Sequence, residues 1–138
     1  EVATGNPDGY ALANNNFLLY HQPSLHLWTM IPWGTDLTMI AKVDPATPAT
    51  TNSGALFAGC LSQPECHAAF NGALREVANV MENNELADYA DGLINLIGDV
   101  TRADDRDEQS HFQTAWAQWV NQKYLDRRPD EIHAALED

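Results

Sequence analysis

The chain has 138 residues, with 20 acidic and 7 basic side chains and a net charge of −13. This length suits one domain, 1–138, with its own core, and the charge argues against nucleic acid as a partner because an acidic surface repels phosphates. No apolar run reaches the roughly 18 residues that a membrane-spanning helix needs.

The first third of the chain predicts a loop, a β-hairpin and a second loop. Residues 1–7 contain glycine and proline and predict an irregular lead-in, and the asparagine run that closes residues 8–16 favours a turn. Two apolar segments at 17–21 and 25–31 are joined by a short polar connection, which predicts a hairpin. Residues 37–53 are rich in proline, threonine and alanine without periodicity, which predicts a flexible loop.

The remainder, 54–138, predicts a helical subdomain. Apolar residues recur there at helical spacing, with a short helix expected at 54–61 and a longer one ending near Glu82. The pair Ser62 and Glu65 has the spacing of a capping box for that longer helix. Further helices are expected from residue 86 to about 100, around 112–123 and at 130–136. The whole chain is therefore expected to be mainly α with one small hairpin, an α+β fold.

Two apolar stripes are expected to form the core of the helical subdomain. Both should face a shared core, because apolar residues three and four positions apart lie on one side of a helix. The stripes, with two later residues expected to join them, are Phe70, Leu74, Val77 and Met81; Leu93, Ile97 and Val100; and Trp116 and Val120.

The two cysteines, Cys60 and Cys66, match neither a CxxC redox motif nor a zinc site, and the chain has no second pair. They fit either a short disulfide between two helices or two buried thiols. The five histidines show no paired zinc spacing.

Oxygen-bearing side chains stand at both ends of the predicted hairpin: Asp8 and Asn16 before it, Asp36 after it. Mg²⁺ prefers such carboxylate and amide oxygens. Because antiparallel strands return the chain to its starting edge, Asn16 and Asp36 should lie at the same end. Asp8 and Asn16 also have ordinary structural explanations, since aspartate caps turns and asparagine caps strand ends. Asn15 is an alternative to Asn16.

The order of DGY at 8–10, NNFLLY at 15–20 and IPWGTD at 31–36 resembles the CotH family, secreted kinase-like proteins named for a spore-coat member. The segment CLSQPEC at 60–66 resembles the start of a family helix. The resemblance implies the C-terminal-lobe portion of an atypical protein kinase fold, with the hairpin as its catalytic element. It also implies a secreted or cell-surface setting, which favours the disulfide between the two cysteines.

The activity implied by this resemblance is metal-dependent transfer of a nucleotide phosphate to a hydroxyl of a protein substrate or surface protein. Asp8 would be the catalytic base, and Asn16 and Asp36 would bind the metal. The implied cofactors are ATP with Mg²⁺ or Mn²⁺. No nucleic-acid partner and no membrane span are expected.

The sequence departs from the family pattern in two places. Gly34 follows Pro-Trp where the family commonly has an aspartate, and the lysines of the chain, Lys42 and Lys123, both follow Asp8. A kinase clamps its nucleotide phosphates with a lysine and a glycine-rich loop, parts that the resemblance assigns to an N-terminal lobe missing here. We therefore expect weak or absent cofactor binding by this chain alone. The alternative is a catalytically silent kinase-like module for surface adhesion or assembly.

Overall fold

The computed structural model describes residues 1–40, 43–103, 120 and 124–137. The described part is mostly helical with one two-stranded antiparallel sheet, which confirms the expected α+β fold. The elements are α1 (Tyr10–Ala13), β1 (Phe17–Gln22), β2 (Leu27–Pro32), a 3-10 turn (Thr35–Leu37), α2 (Ala55–Leu61), α3 (Pro64–Asn83), α4 (Leu86–Ala103) and α5 (Arg128–Ala135). None of the helices in these ranges is both long and apolar enough to cross a membrane.

The hairpin pairs Phe17 with Pro32 at its open end and Gln22 with Leu27 at its turn. Its second strand begins two residues later than predicted because Leu25 and His26 belong to the turn. The Leu25 amide donates to the Gln22 carbonyl at 3.2 Å, and His26 adopts a left-handed φ of 52°. The register leaves the residues before β1 and after β2 at the same end of the hairpin.

A disulfide between Cys60 and Cys66, with an S–S distance of 2.05 Å, joins α2 to α3. The alternative of two free thiols is therefore wrong. The predicted capping box is also wrong, because Ser62 ends α2 instead of starting α3. Its hydroxyl donates to the Gly59 carbonyl at 2.7 Å, which serves one of the unpaired carbonyls at the end of α2. Helix α3 starts instead with Pro64, after Gln63.

The core lies between α3, α5, α1 and the first residues of the chain. The buried line of α3 runs through Leu74, Ala78 and Met81, and α5 packs against this helix. Ala78 and Ile132 are both 0% exposed, because the small alanine side chain lets the two helices approach. The buried cluster comprises Val2, Ala3, Ala11, Leu12, Val43, Leu74, Ala78 and Ile132, with Phe57, Phe70 and Leu136 against it.

This core corrects the predicted pairing of the two helical stripes. The α4 stripe lies largely at the surface, with Leu93 at 43%, Ile97 at 57% and Val100 at 75% exposure. Val77 is 38% exposed, because the inward side of α3 is centred one residue further on, at Ala78. Trp116 and most of the helix expected at 112–123 fall outside the described residues.

Residues 1–7 contain no helix or strand, which confirms the predicted irregular lead-in, but Val2 and Ala3 within it are part of the core. The guanidinium of Arg128, which is 1% exposed, donates from Nε to the Ala3 carbonyl at 3.0 Å and from Nη2 to the Val2 carbonyl at 2.8 Å. Its Nη1 pairs with Glu131 at 3.1 Å. The Tyr124 hydroxyl also donates to the Ala3 carbonyl, at 2.9 Å. Burial raises the pKa of Tyr124 to about 12, against the opposing charge of Arg128.

Leu74→Ala should destabilise the protein by about 2–5 kcal/mol, as truncations of buried leucines do. The reason is that Leu74 is 4% exposed and lies in the main cluster. Val80→Ala, at a position 50% exposed on the same helix, is the control and should cost much less. Urea unfolding measures both free energies. A loss below about half a kcal/mol for Leu74→Ala would contradict the packing of α3.

Arg128→Met should lower the free energy of unfolding by about 3 kcal/mol or more, since each hydrogen bond to a charged group is worth roughly 1.5–3 kcal/mol. Methionine keeps the apolar stem but leaves the Val2 carbonyl without its guanidinium donor. Arg127→Met, which removes the same charge from the exposed neighbouring position, is the matched control. If both variants unfold at the same urea concentration, Arg128 does not anchor the start of the chain.

Candidate functional site

The loop that carries Asp8 is shaped by asparagines on both sides. The Asn6 side chain accepts a hydrogen bond from the Asp8 backbone amide at 3.0 Å. Helix α1 is followed by Asn14, with a φ of 52°, and β1 is preceded by Asn16, with a φ of 53°. Asparagine tolerates this left-handed conformation better than most residues, so the asparagine run turns the chain back past Asp8 before the strand begins.

Asp8 and Asn16 are in direct contact. The Asn16 side-chain amide donates to the Asp8 carboxylate at 2.7 Å and to the Asp8 backbone carbonyl at 2.9 Å. Asn15 donates to the other carboxylate oxygen at 3.0 Å. The structure thus brings together two of the three predicted site residues, and Asn15 shares the contact, as the alternative to Asn16 allowed.

Gly34, two residues after the end of β2, lies against the Asn16 side chain. The Trp33 amide donates to the Asn16 carbonyl at 3.0 Å, and Gly34 follows with a left-handed φ of 65°. A Cβ at position 34 would lie 2.9 Å from both Cγ and Nδ2 of Asn16. The aspartate that the family commonly has here would therefore be strained in this backbone conformation and would collide with the Asn16 amide.

Asp36 lies in the 3-10 turn directly after Gly34, at the end of the hairpin that also carries Asn16. This position agrees with the expectation that Asn16 and Asp36 lie at the same end of the hairpin, but the Asp36 side chain is exposed. Among the described residues, no hydrogen bond joins Asp36 to Asp8 or Asn16, and no group of three His, Cys, Asp or Glu side chains could hold a metal ion. Its role as a ligand stays a prediction.

The donor set nevertheless suits a hard divalent cation. Asp8 offers a carboxylate, and Asn16 carries an acceptor oxygen as well as the amide group that now contacts Asp8. A half-turn of the Asn16 side chain would present Oδ1 to a cation beside Asp8, which is the ligand type that Mg²⁺ prefers. Asp8 and Asn16, with Asp36 at the same end of the hairpin, are the residues that could hold a metal.

Asn6 is the site residue that the sequence analysis missed. It is 2% exposed, and its Nδ2 donates to the Gly34 carbonyl at 3.3 Å while its Oδ1 holds Asp8. The local signal was the spacing Asn-x-Asp, because an asparagine commonly bonds the backbone two residues on. The contact with Gly34, 28 positions away, has no local signal.

The family model described as CotH kinase protein matches residues 1–132. The chain belongs to the CotH family. This confirms the relationship indicated by the motifs at 8–10, 15–20 and 31–36, and the family's kinase-like character agrees with a helical domain that carries one hairpin. Comparisons of this CotH chain with curated proteins and with solved structures found no match.

Proposed function

We propose that this CotH protein takes part in transfer of a nucleotide γ-phosphate to a protein hydroxyl, with Asp8 as the base. The observation that supports it most is the direct contact of Asp8 with Asn16 at 2.7 Å, at the edge of a hairpin. Kinases use an aspartate and an asparagine in this order, the first for the attacking hydroxyl and the second for a metal ion.

In the proposed reaction the substrate hydroxyl oxygen bonds to the γ-phosphorus, and the bond to the bridging oxygen breaks. Asp8 accepts the hydroxyl proton, and a nucleoside diphosphate leaves. Asn16 holds Asp8 in place before reaction and offers its Oδ1 to Mg²⁺ or Mn²⁺, with Asp36 as the second ligand. The metal, when bound, offsets the negative charge of the phosphates.

The proposed setting is secreted or at the cell surface, with an extracellular or surface protein as the phosphate acceptor. The Cys60–Cys66 disulfide supports this, because disulfides persist in oxidising compartments and are rare in reducing ones. CotH membership supports it as well.

The second candidate is a catalytically silent kinase-like module that serves in surface adhesion or assembly. Two observations favour it: both oxygens of the Asp8 carboxylate already accept amide hydrogen bonds, and Gly34 stands where the family commonly has an aspartate. In that case Asp8 is a structural acceptor that fixes the turn before β1, and the site binds neither metal nor nucleotide.

Asp8→Asn should abolish most activity of the full-length protein in a phosphoryl-transfer assay with γ-labelled ATP, Mn²⁺ and a hydroxyl-bearing protein acceptor. Loss of the base should lower kcat by roughly 10²–10⁴-fold, the usual contribution of general base catalysis. Asp91→Asn, the same charge change at an exposed position of α4, is the matched control and should leave kcat unchanged.

Two outcomes would contradict the kinase proposal. One is a full-length wild-type protein with neither phosphoryl transfer nor metal-dependent nucleotide binding in calorimetry, which would favour the silent module. The other is a variant Asp8→Asn that stays folded by circular dichroism and keeps the wild-type kcat.

A further inference from the structure

The buried side chain of Asn6 connects the two segments of the site, the loop that carries Asp8 and the turn at 34–36. Asn6 accepts from the Asp8 amide through Oδ1 and donates to the Gly34 carbonyl through Nδ2, at 3.0 and 3.3 Å. The two bonds use opposite ends of the same carboxamide. Its backbone amide donates in turn to the Glu1 carbonyl at 3.1 Å, so the residue is itself held in place.

These contacts fix the segments that carry the proposed base and the proposed second ligand. The bond to the Asp8 amide holds the backbone at the base. The bond to the Gly34 carbonyl holds the turn that covers Asn16 and leads into Asp36. Asparagine suits this position because it offers a donor and an acceptor at once, whereas an ionised aspartate offers acceptors alone.

We infer that Asn6 is a positioning residue that sets the spacing between the Asp8 loop and the turn at 34–36. It acts through its neighbours, since its own polar atoms are buried and occupied by the protein. The catalytic meaning of this spacing rests on the proposed function, but the spacing itself is a property of the fold. Small displacements of reacting groups lower rates steeply, so Asn6 should affect kcat more than the KM for nucleotide.

Two substitutions separate its two bonds. Asn6→Asp keeps an acceptor for the Asp8 amide and loses the donor to Gly34, whereas Asn6→Ala loses both. Asn52→Asp, which adds the same charge at an exposed position in the loop before α2, is the matched control. All three proteins are first checked for folding by thermal unfolding followed by circular dichroism.

Amide hydrogen exchange tests the inference without reference to activity. The Trp33 amide donates to the Asn16 carbonyl, and the Thr38 amide donates to the Thr35 carbonyl. In Asn6→Asp both amides should exchange at least tenfold faster, while the Asp8 amide stays protected. In Asn6→Ala the Asp8 amide should lose its protection as well. Asn52→Asp should match the wild type at all three amides.

Activity measurements then separate the two hypotheses. If the wild type transfers phosphate, Asn6→Asp should lower kcat at least tenfold with little change in the KM for ATP. A folded Asn6→Ala with wild-type exchange at Asp8 and Trp33 would overturn the positioning role, whatever the activity. If the variants show altered exchange but the wild type does not transfer phosphate, the positioning role of Asn6 is supported and the proposed function is rejected. Altered exchange with unchanged kcat would reduce Asn6 to a structural role.

Discussion

The arrangement depends on a buried guanidinium that holds the first residues of the chain against the last helix. Arg128 donates to the carbonyls of Val2 and Ala3 and pairs with Glu131. A buried charge is costly unless it is paired and hydrogen-bonded, and here the partners are backbone carbonyls that only a folded N-terminal turn can supply. Helix α5 and the start of the chain therefore require each other.

The same turn carries the candidate site at its other end. Asn6 lies four residues after Val2. It accepts from the Asp8 amide and donates to the Gly34 carbonyl, and the Asp8 carboxylate in turn accepts from Asn16. The path from the helical core to the hairpin is thus short and made of side-chain hydrogen bonds, most of them to backbone groups. Such a connection would suit the proposed site, because catalytic groups need fixed geometry.

Local pattern was sufficient for the hairpin, for α2 to α5 and for part of the site, but not for the short helix α1, which lies in the loop expected at 8–16. Apolar segments joined by a short turn predicted the hairpin, helical spacing predicted α3 and α4, and short helices were also expected at 54–61 and 130–136. The hairpin register explains why Asn16 and Asp36 share one end. Motif order led to the CotH family, which the match over residues 1–132 confirms.

Local sequence patterns could not predict the long-range contacts. Nothing around Arg128, an arginine beside another arginine and a proline, marks it as buried, because the two carbonyls to which it donates lie about 125 positions away. The buried side of α3 was predicted wrongly for a related reason: Ala78 is inconspicuous as a core residue until the last helix, α5, packs against α3. Asn6 was overlooked because half of its role depends on Gly34.

The proposal that Asp8 and Asn16 form a phosphoryl-transfer site is tested most directly by a crystal structure of the full-length protein with Mn²⁺ and a non-hydrolysable ATP analogue. The account predicts an anomalous manganese peak about 2.1 Å from Asn16 Oδ1, close to the length of Mg²⁺–oxygen bonds, with Asp36 in the same coordination sphere and the Asp8 carboxylate free of the Asn16 amide. A structure at saturating Mn²⁺ and nucleotide with no such peak, in which the Asn16 amide still donates to Asp8, would contradict it.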